Sequence, residues 1–257
     1  MIPASDITKW GVRHPWSTRE QIEQDLLLSQ ALCEIANDRL LGEELLLRGG
    51  TAYHKLFLPQ PLRFSEDLDY VRTKAGGIGE VMKRITSIGG ELGYSVNTKI
   101  GRFPKVLWKG IAESGLMLRI KIEIDTFERS PVLPLTIKQH LVNTEWYSSR
   151  ANVKTFQVEE LIAAKLRALY QRSKGRDLFD IWLALEVLGV EPSMIIEAFY
   201  PYRPEGLSSE KMLNNLRLKL KNAQFLGDTD GLIVSSDISY DPQAAGELVA
   251  DKLLSLV

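Results

Sequence analysis

The segment that most restricts how this chain can fold is Arg119-Ile120-Lys121-Ile122-Glu123-Ile124-Asp125, where three isoleucines alternate with four charged residues. Successive side chains of a strand point to opposite faces, so the segment is a strand with one apolar and one charged side. The apolar side needs a core and the charged side needs water or a ligand. Leu45-Leu46-Leu47, too short and continuous for a helix, reads as a buried strand running into Gly49-Gly50. Phe64 to Val71 is a second strand, and Tyr94 to Asn97 and Arg102 to Trp108 extend the set ahead of the long strand from Met117 to Phe127.

Helical spacing accounts for much of the remainder. From Glu20 to Leu41 the apolar positions Ile22, Leu26, Leu27, Leu32, Ile35, Ala36 and Leu40 predict one helix, started by Ser17 or Thr18 and stopped by Gly42. Thr51 opens a short helix that Pro59 and Pro61 stop near Leu58, and another spans Gly79 to about Leu92. After Pro131 and Pro134 the composition turns helical. Helices are expected at Val158 to Gln171, Asp177 to Leu188, Ser209 to Asn222 and Pro242 to Leu256, with an Asp/Ser/Gly-rich loop from Gly227 to Asp241. The fold class is therefore α+β, a mixed-sheet domain over residues 1–140 followed by a helical domain over residues 141–257.

Composition narrows the class of function. Hydrophobic residues make up 44% of 257, and 32 Lys+Arg against 33 Asp+Glu leave a net charge of −1, which fits a folded globule rather than disorder. No 18-residue apolar run predicts a membrane-spanning helix, and Met1 to Trp16 lacks the apolar core of a secretion signal. Cys33 is the single cysteine, which excludes an intrachain disulfide and a cysteine zinc cluster and suits a reducing cytoplasm. A nucleic-acid partner would have to be held by a patch. Lys99-Arg102-Lys105-Lys109 and Lys211-Arg217-Lys219-Lys221 are the basic stretches that could track phosphates, with ordinary surface charge as the plain alternative.

Three features carry chemistry. In Arg63-Phe64-Ser65-Glu66-Asp67-Leu68-Asp69-Tyr70, two aspartates two apart on a strand share a side and offer hard oxygens to divalent cations. Gly49-Gly50-Thr51, between a strand and a helix start, lets backbone N–H groups and the positive helix end approach a phosphate. Glu123 and Asp125 share the charged side of the long strand. Each has a plainer reading: a solvated face, an ordinary strand-to-helix turn, and the wet side of a half-buried sheet. Together they are the parts needed to bind a Mg²⁺–nucleotide and deprotonate an attacking hydroxyl. No nucleophile elbow, Walker loop or Rossmann fingerprint occurs, and His14, His54 and His140 show no ligand spacing.

These motifs resemble the AbiEii/AbiGii nucleotidyltransferase toxins of the DNA polymerase β-like superfamily. The resemblance rests on Leu47-Arg48-Gly49-Gly50-Thr51-Ala52, the Arg63-to-Asp69 segment, Lys121-Ile122-Glu123-Ile124-Asp125, Glu160-Leu161 with Lys165, and Arg176-Asp177-Leu178-Phe179-Asp180. It covers about residues 45 to 185.

The resemblance implies a polymerase β-like core in which Gly49, Gly50, Thr51 and Ser65 line the nucleotide site and Asp67 and Asp69 are metal ligands. Glu123 or Asp125 would be the third carboxylate. It also implies that Lys165 and Arg176 contact phosphates, while Asp177 and Asp180 complete the distal catalytic motif. Read from the residues alone, Lys165, Arg167, Arg172, Lys174 and Arg176 could equally be a solvated basic face, and Asp177 a helix-capping partner. Arg176 at the positive end of a helix needs a counter-charge, which a triphosphate would supply.

The implied activity is Mg²⁺-dependent transfer of a nucleoside monophosphate from an NTP to RNA, with tRNA the favoured acceptor and Mn²⁺ an alternative ion. Such an enzyme would act as the toxin of a toxin–antitoxin or phage-defence pair, with a cognate antitoxin as partner. A protein or small-molecule hydroxyl as acceptor, and a degenerate nucleotide-binding module, are the competing readings.

Overall fold

The alternating segment forms β5 (Met117–Asp125), and Ile120, Ile122 and Ile124 are buried as the pattern requires. The structure is a computed structural model describing residues 2–60, 62–234 and 238–257. Pro61, read as a helix stop, and residues 235–237 of the acidic loop lie outside the described residues. The chain divides into two units, residues 1–131 with 135–156, and residues 132–134 with 157–257.

The first unit is built on a seven-stranded mixed sheet. Its strands are β1 (Leu45–Arg48), β2 (Asp67–Arg72), β3 (Ser95–Lys99), β4 (Lys105–Ile111), β5, β6 (Thr136–Asn143) and β7 (Ser148–Thr155), in the order β3-β4-β5-β2-β1-β7-β6. The pairs β2/β5 and β1/β7 run parallel and the others antiparallel. Helices α1 (Ala4–Arg13), α2 (Arg19–Asn37), α3 (Arg39–Glu44), α4 (Gly49–Leu56) and α5 (Gly79–Glu91) complete the unit. Leu26, Leu28, Leu32 and Ile35 of α2 are buried, with α2 packed on β5, β6 and β7, and α5 packs on β3 and β4. At about 1.5–3 kcal/mol for each fully buried Leu or Ile, this apolar layer is what holds the charged side of β5 outward.

Two expectations need correction here. The helix expected from Glu20 to Leu41 is two helices. Thr18 starts α2 in a capping box with Gln21, but Asp38 Oδ1 accepts the Leu40 and Leu41 backbone N–H groups at 3.0 Å and caps α3. Gly42, read as the stop, lies inside α3. The stretch after Pro134 is a β-hairpin before it is helical. In β6 Ile137 and Leu141 point to solvent while His140 is buried, and β7 turns in Ala151, Val153 and Thr155. Apolar residues on the wet face and an imidazole on the dry one invert the pattern by which strands are recognised. Because β7 pairs with β1, residues 141–156 lie with the sheet and not with the helices.

The second unit consists of α6 (Val158–Gln171), α7 (Gly175–Glu186), α8 (Pro192–Phe199), α9 (Ser209–Lys219), α10 (Ala223–Leu226) and α11 (Pro242–Lys252). Leu161, Ile162, Leu166, Phe179, Ile181, Phe199, Phe225 and Val249 form its buried centre. Buried Glu160 on α6 accepts the backbone N–H groups of Val132 (2.9 Å) and Leu133 (3.0 Å) and the Tyr202 hydroxyl (2.5 Å). No described helix is long and apolar enough to cross a membrane.

Candidate active site

Register brings the sequence motifs of the first unit onto one face of its sheet. Asp67 stands opposite Lys121, Asp69 opposite Glu123, and Arg48 opposite Asp69. The apolar partners Leu68, Ile122 and Ile124 turn the other way, into the helix layer. The charged face is laced by ion pairs: Lys121 Nζ lies 2.7 Å from Asp67 Oδ2, and Lys105 Nζ lies 2.7 Å from Glu123 Oε2. Asp125 is engaged through both oxygens. Oδ1 accepts the N–H groups of Phe127 (2.7 Å) and Glu128 (3.3 Å), and Oδ2 lies 3.3 Å from Arg48 Nη1.

Asp69 differs from its neighbours. Burial, with the negative charges of Asp67 and Glu123 beside it, pushes its carboxyl above the ordinary range despite Lys121 and Arg48. For Lys121 burial acts against the ammonium, but the hydrogen bond and charge of Asp67 outweigh it and raise the pKa. A half-buried carboxylate crowded by like charges is a group that a small cation would return to its ionised form. The all-oxygen donor set of Asp67, Asp69 and Glu123 fits a hard divalent ion. With lysines on two of these carboxylates, no three acidic, imidazole or thiol groups among the described residues converge as a metal site in this arrangement.

The turn after β1 is shaped around these carboxylates. Gly49 has φ +77°, and Asp69 Oδ2 lies 2.6 Å from where its Cβ would stand. At Gly50 the equivalent point is 2.5 Å from Arg63 Nη2 and 3.2 Å from Ser65 Oγ. Thr51 Oγ1 donates to the Asp67 carbonyl at 2.5 Å and lies 2.9 Å from Ser65 Oγ, tying the start of α4 to the entry of β2. No side chain caps α4 at Arg48. The first N–H groups of the helix are those a phosphate would use.

The distal motif forms its own cluster in the helical unit. Lys165 on α6 reaches Asp177 Oδ1 (3.2 Å) and Asp180 Oδ2 (2.9 Å), both on α7 and fully buried. Arg172 adds a two-pronged contact to Asp177 at 2.8 and 2.9 Å. Burial alone would raise the Asp177 carboxyl, but the charge of Lys165 and the hydrogen bonds of Arg172 hold it low. Asp177 is thus an ion-pair centre and not a helix cap. Arg176 finds a counter-charge within the protein: its N–H donates to Asp228 Oδ2 at 3.2 Å, its Nε lies 3.9 Å from the same oxygen, and Lys174 shares that carboxylate.

Several participants went unassigned in the sequence. Lys121 and Lys105 were visible only as members of a charged strand side and a basic stretch, and Arg48, Arg63 and Asp228 only as flanking residues. Two-residue spacing could have found Lys121 on the Glu123 side. The partner of Lys105 depends on a register no local pattern encodes. Lys219, grouped with the second basic stretch, turns inward and donates to the carbonyls of Leu169 and Tyr170 at the end of α6, where burial pushes its pKa down to about 8.

Strand-borne carboxylates beside a glycine turn and helix start, on one face of a mixed sheet, make up the candidate site. The family described as "Nucleotidyl transferase AbiEii toxin, Type IV TA system" matches residues 30–234, well over half of the chain. The chain belongs to this family of nucleotidyltransferase toxins of type IV toxin–antitoxin systems. Among solved structures, the fold is similar to MenT4, a nucleotidyltransferase toxin from Mycobacterium tuberculosis H37Rv, at TM-score 0.53 and 16% identity over 100% of this chain and 99% of that one. An antigenic nucleotidyltransferase-like protein from Paracoccidioides brasiliensis aligns at TM-score 0.43 and 18% identity, over 83% of this chain and 97% of that one. No curated protein sequence matches.

Proposed function

We propose that this chain transfers a nucleoside monophosphate from an NTP to RNA, with tRNA the favoured acceptor, in a Mg²⁺-dependent reaction, and acts as a toxin held in check by a cognate antitoxin. The observation that supports this best is the row of Asp67, Asp69 and Glu123 on neighbouring strands, directly beside the Gly49–Thr51 turn.

In this reading Asp67, Asp69 and Glu123 would hold the metal. Glu123 is favoured over Asp125 because it stands opposite Asp69, whereas Asp125 is engaged with Arg48 and the turn after β5. The ion would lower the pKa of the attacking hydroxyl and neutralise charge on the departing pyrophosphate. The N–H groups of Gly50 and Thr51 hold phosphate oxygens, and Ser65 and Arg63 steady that turn. Asp69, whose Oδ2 packs against Gly49, would join the metal-holding carboxylates to the phosphate-binding turn. Lys165 and Arg176 are the proposed phosphate contacts of the helical unit, with Asp177 and Asp180 orienting Lys165.

RNA is favoured as acceptor by the surface near the end of β5. The Arg102 guanidinium sits 5.6 Å from the Phe103 ring centre and 5.7 Å from that of Phe127, and both rings are exposed. Cation and aromatic faces presented together suit the stacking of unpaired bases. The test is incubation with labelled NTPs, Mg²⁺ and total RNA. Label in RNase-sensitive material with the wild type, lost in Asp67→Ala, is the expected result. RNase-resistant label would move the acceptor to a protein or small molecule, and no transfer by the wild type would overturn the enzymatic reading.

A further inference from the structure

The charged side of the sheet does not end at the candidate carboxylates. Strand register carries it outward: Asp69 stands opposite Glu123, Glu123 opposite Lys105, and Lys105 opposite Lys99 on the edge strand β3. One row therefore crosses four neighbouring strands from a carboxylate to a lysine at the rim, about 14 Å at the usual strand spacing. Lys109, four residues along β4 from Lys105, shares this side and stands opposite Arg119 of β5. The other side of these strands holds Val106, Trp108, Ile120 and Ile122, all buried. Apolar burial fixes which residues face outward, and so it forces these cations together.

Two cross-strand pairs on this surface are like-charged, Lys99 with Lys105 and Lys109 with Arg119. Directly opposed like charges destabilise a sheet. Lys105 is relieved by Glu123, and Lys121, between Arg119 and Glu123 on β5, is relieved by Asp67. Lys99, Lys109 and Arg119 have no ion-pair partner among the described residues, and Lys99 and Arg119 are exposed.

These charges describe what would cover them. Lys109 with Arg119 lies four residues, about 13 Å, from Lys105 with Glu123, so an anion that meets both pairs must be extended. Where β4 begins and β5 ends, the exposed rings of Phe103 and Phe127 meet with centroids 6.0 Å apart. Cations matched to phosphates, beside rings on which bases can stack, favour a single-stranded nucleic acid over other polyanions. The basic stretch from Lys99 to Lys109 holds only part of this surface, since Arg119 joins it through register alone.

We propose that the outward face of β3, β4 and β5 is the docking surface for a single-stranded segment of the acceptor RNA. Lys99, Lys109 and Arg119 hold its phosphates, and the row from Lys99 to Asp69 leads its reacting end to the carboxylates. The assignment rests on the transfer reading above. Filter binding of an oligouridylate to the full chain over a series of KCl concentrations, without NTP, tests it apart from catalysis. Lys99→Gln, Lys109→Gln and Arg119→Gln each lower the slope of log affinity against log salt by about 0.7, and the triple variant lowers it by about 2. Arg13→Gln, which removes an exposed cation at the end of α1, leaves the slope unchanged. In transfer assays the triple variant raises the KM for RNA and leaves the KM for NTP as it was.

The three substitutions relieve repulsion between exposed or half-exposed side chains, so the variants keep the fold. An unaltered slope in the triple variant, or one lowered equally by Arg13→Gln, overturns the docking surface, and transfer by the wild type then leaves the enzyme reading standing. Calorimetry with the four NTPs supplies a further check: a loss of NTP affinity matching the loss for RNA reassigns the three cations to the triphosphate and overturns the proposal. A wild type that transfers nothing, but loses RNA affinity in the triple variant, overturns the enzyme reading and keeps the RNA surface.

Discussion

Asp69 Oδ2 lies 2.6 Å from the position that a Cβ on Gly49 would occupy. The glycine is therefore required twice, once by its φ of +77° and once by the carboxylate packed against it. Strand β2 and the start of α4 can close on each other only while that side chain is absent.

Gly49→Ala is expected to lower stability by about 1–3 kcal/mol, combining left-handed strain with displacement of Asp69, and to reduce transfer. Gly50→Ala meets mainly the far end of the Arg63 side chain, which can move, so its stability loss is smaller. Urea denaturation of the two variants side by side checks the order, and equal losses would contradict this geometry.

Asp69→Asn separates stability from activity. A carboxyl whose folded pKa is raised contributes stability that is present below its unfolded pKa and lost as pH rises through the folded one. In metal-free protein the stability of the Asn variant relative to wild type therefore increases from acid to neutral pH. Transfer should fall by about 10²–10³-fold. Mg²⁺ should raise the melting temperature of the wild type at neutral pH and leave the variant unmoved, as read by calorimetry.

Lys165→Met removes the ammonium that bridges the buried carboxylates of Asp177 and Asp180, leaving Arg172 as the cation on Asp177. The expected loss is about 3–5 kcal/mol, measured by chemical unfolding at neutral pH. The lowered pKa of Asp177 means that its ionised form stabilises the wild type above the ordinary carboxylate value, and that this contribution fades as pH falls through the folded pKa.

His140 and His14 have pKa values depressed to about 3 and about 4. Each neutral imidazole contributes stability that is complete above its unfolded value of 6.5 and declines as pH drops below it. The slope from one such site reaches at most about 1.4 kcal/mol per pH unit. His140→Gln should flatten the decline between pH 6.5 and 5, and an unchanged profile would show that His140 protonates without cost.

Phe103→Ala and Phe127→Ala should each weaken binding of single-stranded RNA by about 1–3 kcal/mol while leaving NTP binding unchanged. Filter binding at fixed salt measures it. An effect on duplex RNA equal to that on single strands would argue against stacking.

Much of the charged face was legible because its signals are local. Alternation in β5 declares which residues share a side, and Asp67-Leu68-Asp69 does the same for β2. The hairpin β6–β7 carries no such local signal, because its buried positions hold His140, Ala151 and Thr155 while Ile137 and Leu141 face water. Asp38 was hidden in a helical pattern that continued through it, since capping depends on the backbone breaking there.

The amino-acid sequence by itself determined which side chains carry oxygen donors, which strand sides they occupy and where glycine permits a phosphate-sized approach, because each follows from residues a few positions apart. Tertiary structure alone decided that Lys121 meets Asp67, that Lys105 meets Glu123, and that Asp69 is crowded by like charges. Those relations come from the register between strands distant in the chain, and register is set by the burial of the whole apolar layer behind them.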